Sequence, residues 1–161
     1  MNGGQLVLDL GHRPALGAED FLVAPCNAAA VAWIDRWPAW PGPALVVHGP
    51  AGCGKSHLTA VWRARSGAAA VAARDLGGEP EPWLGAHRAM LIEDADGGLD
   101  ESALLHRFTV LAAARGSLLI TARTPPAHWA IELADLRSRV VGAPAVAIAP
   151  PDDALLGAVL V

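Results

Sequence analysis

The sequence predicts an α/β domain built on a parallel sheet that is buried on both faces. Three observations carry this expectation. Short apolar runs recur at residues 44–48, 68–73, 89–92, 117–121 and 145–148, without the in–out alternation of a half-exposed sheet. Helix-compatible segments separate most of them, giving the alternation from which parallel sheets are made. The first run leads straight into Gly49-Pro50-Ala51-Gly52-Cys53-Gly54-Lys55-Ser56, a complete G-x-x-x-x-G-K-[ST] phosphate loop, and a helix follows through His57 to about residue 65.

The other elements follow in chain order. Residues 1–20 read as a tail, broken by Gly3-Gly4, Gly11, Pro14 and Gly17, with one apolar cluster at Leu6-Val7-Leu8-Asp9-Leu10. A first helix is expected over residues 28–37, with Asn27 as N-cap and Pro38, Pro41 and Pro43 to stop it. The second strand, 68–73, enters a loop carrying Gly77-Gly78 and Pro80-Glu81-Pro82, and the third strand ends in Glu93-Asp94. Asp100 caps a helix over 101–115 whose Leu104, Leu105, Phe108 and Leu111 share one face, and Gly116 closes it. After the fourth strand come a short proline-initiated helix at 127–133, a helical turn at 135–139, and the fifth strand. Pro150-Pro151-Asp152-Asp153 then starts a last helix, with acids where the helix dipole favours them, and the apolar stretch 155–161 ends the sequence. The expected organisation is a tail over 1–20, a nucleotide-binding core over 21–150 and the beginning of a further helical unit over 151–161.

Composition narrows the function classes. The chain has 161 residues, enough for one domain with a proper core. It is 53% hydrophobic, yet Pro and Gly break the uncharged runs before any could span a bilayer, so no membrane partner is expected. The N-terminus lacks the basic start and apolar block of a secretory signal. Two cysteines, Cys26 and Cys53, form no disulfide or metal pattern, and the six histidines fit no zinc motif, so a cytoplasmic location is expected. A net charge of −4 argues against sequence-specific DNA binding by this chain alone, leaving only a local basic patch around Arg137 and Arg139.

The phosphate loop fixes the chemistry. Its glycines let backbone N–H groups wrap phosphates at a helix N-terminus. Lys55 would reach the β- and γ-phosphates and Ser56 would ligate Mg²⁺. Ligands of a parallel sheet sit beyond the carboxyl ends of its strands, which brings Glu93 and Asp94 near the loop. One acid, Glu93 as metal-side partner, would hold magnesium through water and the other would polarise an attacking water. Thr121, ending the neighbouring strand, could aim its hydroxyl at the γ-phosphate.

Several segments in family order resemble one known group. They are Asp20-Phe21-Leu22-Val23, the loop from Gly49 through His57-Leu58, Leu91-Ile92-Glu93-Asp94, Leu118 through Thr121-Ala122-Arg123-Thr124-Pro125-Pro126, and Leu136-Arg137-Ser138-Arg139. Together they resemble the ATPase core of the bacterial replication initiator DnaA, and still more the DnaA-related Hda/HdaA regulators. The resemblance implies a P-loop NTPase of AAA+ type with sheet order 5-1-4-3-2, binding ADP or ATP with Mg²⁺. It puts Phe21, Leu22 and Val23 near the adenine, and Gly49, Pro50, Ala51, Gly52, Cys53, Gly54, Lys55, Ser56 and His57 around the phosphates. Gln5-Leu6-Val7-Leu8-Asp9-Leu10 resembles the peptide that binds the DNA sliding clamp, with Gln5, Leu6, Leu8 and Leu10 as contacts. Arg139 matches an arginine finger that reaches a neighbour's γ-phosphate.

The function so implied is a regulator that docks on the clamp and stimulates ATP hydrolysis by DnaA, with Glu93, Asp94 and Arg139 as catalytic residues and self-association left open. The alternative is a self-sufficient ATPase of the initiator or loader type; a small phosphate-loop kinase and an inert interaction module are further readings. Three features depart from the family. The acidic pair is Glu93-Asp94 rather than Asp-Asp or Asp-Glu, and Arg123 stands where an initiator-type sensor carries an acid. The sequence also stops at Val161, inside what would be the first lid helix, so weak nucleotide affinity and weak turnover of its own ATP are expected.

Overall fold

The computed structural model describes residues 23–77 and 88–150. Along the chain, α1 (Ala28–Arg36) is followed by β1 (Ala44–His48), α2 (Lys55–Ser66) and β2 (Ala69–Ala72). β3 (Ala89–Glu93), α3 (Glu101–Ala113), β4 (Ser117–Ala122), α4 (Ala134–Gly142) and β5 (Ala145–Ala147) come next. Every strand pairing is parallel and the sheet runs β2-β3-β4-β1-β5. This is the expected order, counted from the opposite edge. It sets the carboxyl end of β1 beside that of β4, with Val47 opposite Thr121 and His48 opposite Ala122.

The continuous apolar strands feed two cores at once, because successive residues of a strand face opposite ways. Leu45, Val47, Leu91 and Leu119 pack with Ile34 of α1 and with Leu58 and Trp62 of α2. Val46, Met90, Ile92, Leu118 and Ile120 pack on the other face with Leu104, Phe108 and Leu111 of α3 and with Leu136 and Val140 of α4. Trp62 is fully buried, edge-on to Trp37 at 6.0 Å and stacked on Trp40 at 5.9 Å. A helix layer therefore covers each side of the sheet, which leaves the strand ends as the places for chemistry.

Local signals were kept in most elements and overridden in a few. Asp100 caps α3 as expected, its carboxylate accepting the Ala103 N–H at 3.0 Å. Asn27 precedes α1 but does not cap it: its side-chain oxygen accepts the Ala24 N–H at 2.8 Å instead. The helix expected over 127–133 is only a single 3-10 turn, Pro126–His128, after which the backbone is extended at Trp129. Tertiary hydrogen bonds hold this stretch open, since Glu101 Oε1 accepts the N–H groups of Glu132 (2.7 Å) and Leu133 (3.1 Å). The turn expected at 135–139 is instead a full helix, because Leu136 and Val140, one turn apart, both enter the core. The second strand is shorter than 68–73 because Ala73 opens a 3-10 turn, Ala73–Asp75. Gln5, Leu6, Leu8, Leu10, Phe21, Leu22 and the helix expected over 151–161 lie outside the described residues.

Candidate functional site: the phosphate loop

β1 delivers the chain to the loop along a fixed line. The Gly49 N–H donates to the Ala122 carbonyl at 3.1 Å, and the Ile148 N–H donates to the His48 carbonyl at 2.7 Å. Gly49 is thus pressed between β4 and the continuation of β5. A Cβ there would run into the Ile148 carbonyl and sit 2.8 Å from Cys53 Sγ. The loop then turns, with the Cys53 N–H donating to the Pro50 carbonyl at 3.3 Å. Gly54 sits at φ +101°, in the left-handed region that glycine enters without strain, and its carbonyl accepts the Leu58 N–H at 3.1 Å to start α2. Lys55 Nζ ties the rim together: it donates to the Gly49 carbonyl, to the Pro50 carbonyl at 2.9 Å, and lies 3.7 Å from Cys53 Sγ.

An open pocket of about 450 Å³ lies over the start of α2. Ala51, Gly52, Gly54, Lys55, Ser56 and His57 form one wall, and Asp94 and Arg123 form the other. Seven of the residues named as phosphate-loop or acidic candidates therefore converge on one cavity: Ala51, Gly52, Gly54, Lys55, Ser56, His57 and Asp94. Glu93 ends β3 on the sheet face that α2 covers, since Leu91, two residues earlier, packs with Leu58 and Trp62. Asp94 itself sits at φ +58°. Its N–H donates to Thr121 Oγ1 at 3.3 Å, and the next N–H, of Ala95, donates to the Thr121 carbonyl at 2.9 Å. Thr121 is buried and anchors the acidic turn from both its side chain and its backbone. Val23 is half-buried against the core that α1 and α2 share.

Arg123, which the resemblance puts where an initiator-type sensor carries an acid, does line the pocket. Its position depends on the turn after β4, which Asp96 fastens: one carboxylate oxygen accepts the N–H groups of Arg123 (3.0 Å) and Thr124 (3.1 Å) and the Thr124 hydroxyl (3.1 Å). The indole of Trp129 donates to the Thr124 carbonyl at 2.9 Å and holds the turn from the far side.

Electrostatics at the loop favour an anion. Burial lowers the pKa of His48 below its ordinary value, and the nearby charges of His128 and Lys55 push it further the same way. His48 therefore stays neutral close to Lys55, while the first turn of α2 carries no acid. Of the two expected magnesium-side residues, Ser56 lines this pocket and Glu93 is not part of its lining; the acid that shares the pocket with the Ser56 hydroxyl is Asp94, and oxygen donors of this kind suit magnesium. That ion takes few protein ligands and completes its shell with phosphate oxygens and water. Among the described residues no group of three or more His, Cys, Asp or Glu gathers to hold a metal by itself.

Arg139 lies elsewhere. It sits on α4, its Nε donating to Asp135 Oδ1 at 3.1 Å, and it lines a second pocket of about 410 Å³ with Pro41, Pro43, Ala44, Phe108 and Pro144. Ala44 opens β1, whereas the phosphate loop follows its last residue. The two pockets thus flank opposite ends of a strand roughly 16 Å long.

No protein-family model matches the chain, and no curated protein matches it. Solved structures do. A DNA replication initiation factor superposes with a TM-score of 0.75 at 16% identity, covering 87% of this chain and 51% of that one. AMPPCP-bound DnaA from Aquifex aeolicus gives 0.69 at 18% identity over 86% of this chain and 51% of that one. Domain III of DnaA from Thermotoga maritima gives 0.70 at 18% identity, over 86% and 69%. The chain shares the fold of domain III of DnaA. The chain spans about half the length of the first two structures. No helix among the described residues is long and apolar enough to cross a membrane.

Proposed function

We propose that this protein is a DnaA-related regulator of replication initiation, of the Hda/HdaA kind. It holds ADP or ATP at its phosphate loop, with Phe21, Leu22 and Val23 toward the adenine and Gly49, Pro50, Gly52, Cys53, Gly54 and Lys55 around the phosphates. Ser56 and, through water, Glu93 hold Mg²⁺, which neutralises phosphate charge. Gln5, Leu6, Leu8 and Leu10 dock the chain on the DNA sliding clamp. Arg139 meets ATP bound to DnaA and stabilises the charge that develops as its γ-phosphoryl group leaves. Cytoplasmic residence follows from those partners.

The separation of Arg139 from the chain's own phosphate loop is what supports this reading. An arginine at the far end of β1 is out of reach of a nucleotide held over α2, so a triphosphate that it serves belongs to another molecule. The test is DnaA-bound ATP hydrolysis in the presence of DNA-loaded clamp. Arg139→Ala should lower stimulation by about 10³-fold while leaving nucleotide binding by this chain unchanged. Stimulation that survives the substitution would remove the finger assignment.

A second reading, turnover of its own ATP, draws on Asp94, which shares the pocket with Lys55 and Ser56. Steady-state hydrolysis by the isolated chain that disappears in Asp94→Asn would favour it.

A further inference from the structure

We propose that the face at the amino ends of the strands binds the sugar–phosphate backbone of duplex DNA, with Arg88 and Arg115 at its centre. The inference does not depend on the nucleotide-binding reading, since the phosphate loop lies at the opposite ends of the strands.

Charge is segregated along the sheet. Arg36 ends α1, Arg63 and Arg65 lie in the last turn of α2, Arg88 immediately precedes β3, and Arg115 comes two residues before β4. All five are exposed. A chain of contacts joins them into one patch. The Arg65 guanidinium sits over the Trp37 ring at 5.8 Å, the Trp37 indole donates to Ser117 Oγ at 2.8 Å, and the Ser117 N–H donates to the Arg88 carbonyl at 2.8 Å. Asp35, 3.8 Å from Arg65, is the one acid on this face among the described residues. The other described acids end or follow a strand, or stand at the start of α3 or α4. A chain of net charge −4 thus presents a positive surface at one pole.

The two central arginines are held in an unusual backbone conformation. Arg88 sits at φ +45° and Arg115 at φ +54°, the left-handed region that favours glycine, and Asp94 is the only other non-glycine residue there among the described ones. Arg115 occupies the position after α3 where glycine is the usual choice. Gly116 next to it meets a different need, a close approach in which a Cβ would run into the Arg88 carbonyl. Both backbones are fixed in advance, with the Arg115 N–H donating to the Ala112 carbonyl at 3.2 Å and the Gly116 N–H to the Leu111 carbonyl at 2.7 Å. Neither guanidinium makes a hydrogen bond or ion pair among the described residues. Strained residues with unused side chains gather where a partner is met.

Spacing and chemistry select that partner. From β2 to β1 the patch crosses three strand spacings, roughly 14 Å. Over that length one strand of a duplex presents about four phosphates. The exposed large apolar side chains, Leu133 and Val141, belong to α4 and its N-cap, which do not contribute to the patch. The face therefore lacks the apolar centre of a protein interface and offers planar cations suited to phosphate oxygens.

The experiment is the anisotropy of a labelled mixed-sequence duplex titrated with the full chain between about 50 and 200 mM salt. Wild type is compared with Arg88→Gly/Arg115→Gly and with Arg88→Lys/Arg115→Lys. Glycine removes both guanidiniums and suits the left-handed backbone, so that variant stays folded. Wild type should bind without sequence preference, with log K falling against log salt at a slope of about −3 to −4. The glycine variant should bind about tenfold or more weakly, with the slope reduced by about 2, and the lysine variant should keep both values. Equal binding by wild type and the glycine variant, or no wild-type binding at the lowest salt, would overturn the proposal. So would displacement of the duplex by polyglutamate at equal charge, which would make the face a site for an acidic protein.

Discussion

At Gly49 and Gly54 the same residue type meets two different demands. Gly54 has open space where a Cβ would go and is required only for its left-handed backbone, whereas Gly49 is required for room against the Ile148 carbonyl. Gly49→Ala should therefore push β5 away from β1 and destabilise the fold by about 1–3 kcal/mol, read as a lower urea midpoint. His48 carries a pH dependence. Its folded pKa lies below the ordinary 6.5, so the unfolded chain binds the proton more readily. Stability is then full above pH 6.5 and is lost as pH falls below that value toward the folded pKa. The melting temperature should drop between pH 7.5 and 5.5, and His48→Gln should flatten that slope. The motif from Gly49 to Ser56 was legible because its chemistry fixes its spacing in the chain. His48 beside His128 was not, because the two meet only when separate turns converge.

Among the elements, α3 does more than fill the core. Its cap residue Asp100 was readable from local sequence, since a cap bonds within its own turn. Its next residue, Glu101, was not readable in the same way. The carboxylate reaches across to residues 132 and 133 and accepts two backbone N–H groups that a helix would have used internally. The stretch Trp129-Ala130-Ile131-Glu132-Leu133 has helix-friendly composition, and this distant partner overrides it. Glu101→Ala should speed amide exchange at Glu132 and Leu133 and lower stability by about 0.5–1.5 kcal/mol, with little change in exchange along β4. Strands were read best, because a continuous apolar run has one meaning in a sheet buried on both faces. β2 was over-extended by the same logic, since Ala73 is apolar and buried but belongs to a turn.

Over the whole molecule, the sheet separates two pockets along its strands. The phosphate-loop pocket lies at the carboxyl ends of β1, β3 and β4, while Arg139 and its pocket stand at the amino end of β1. On the proposed reading, the Arg139→Ala outcome follows from this separation: an arginine at the amino end of β1 would meet the phosphate-loop end of another molecule, an unlike-to-unlike contact. Both cores and the strand order followed from the apolar runs and the family likeness together. The polarity of the two pockets needed the folded chain. α2 also links the loop to the aromatic stack behind it. Lys55 stands at its first residue and Trp62 two turns on, about 10 Å away, between Trp37 and Trp40. On the proposed reading, a nucleotide that tilts α2 should alter the spacing of those indoles, so a shift in ultraviolet emission on adding ATP would serve as a native optical gauge of occupancy, and an unchanged spectrum would show that α2 stays in place.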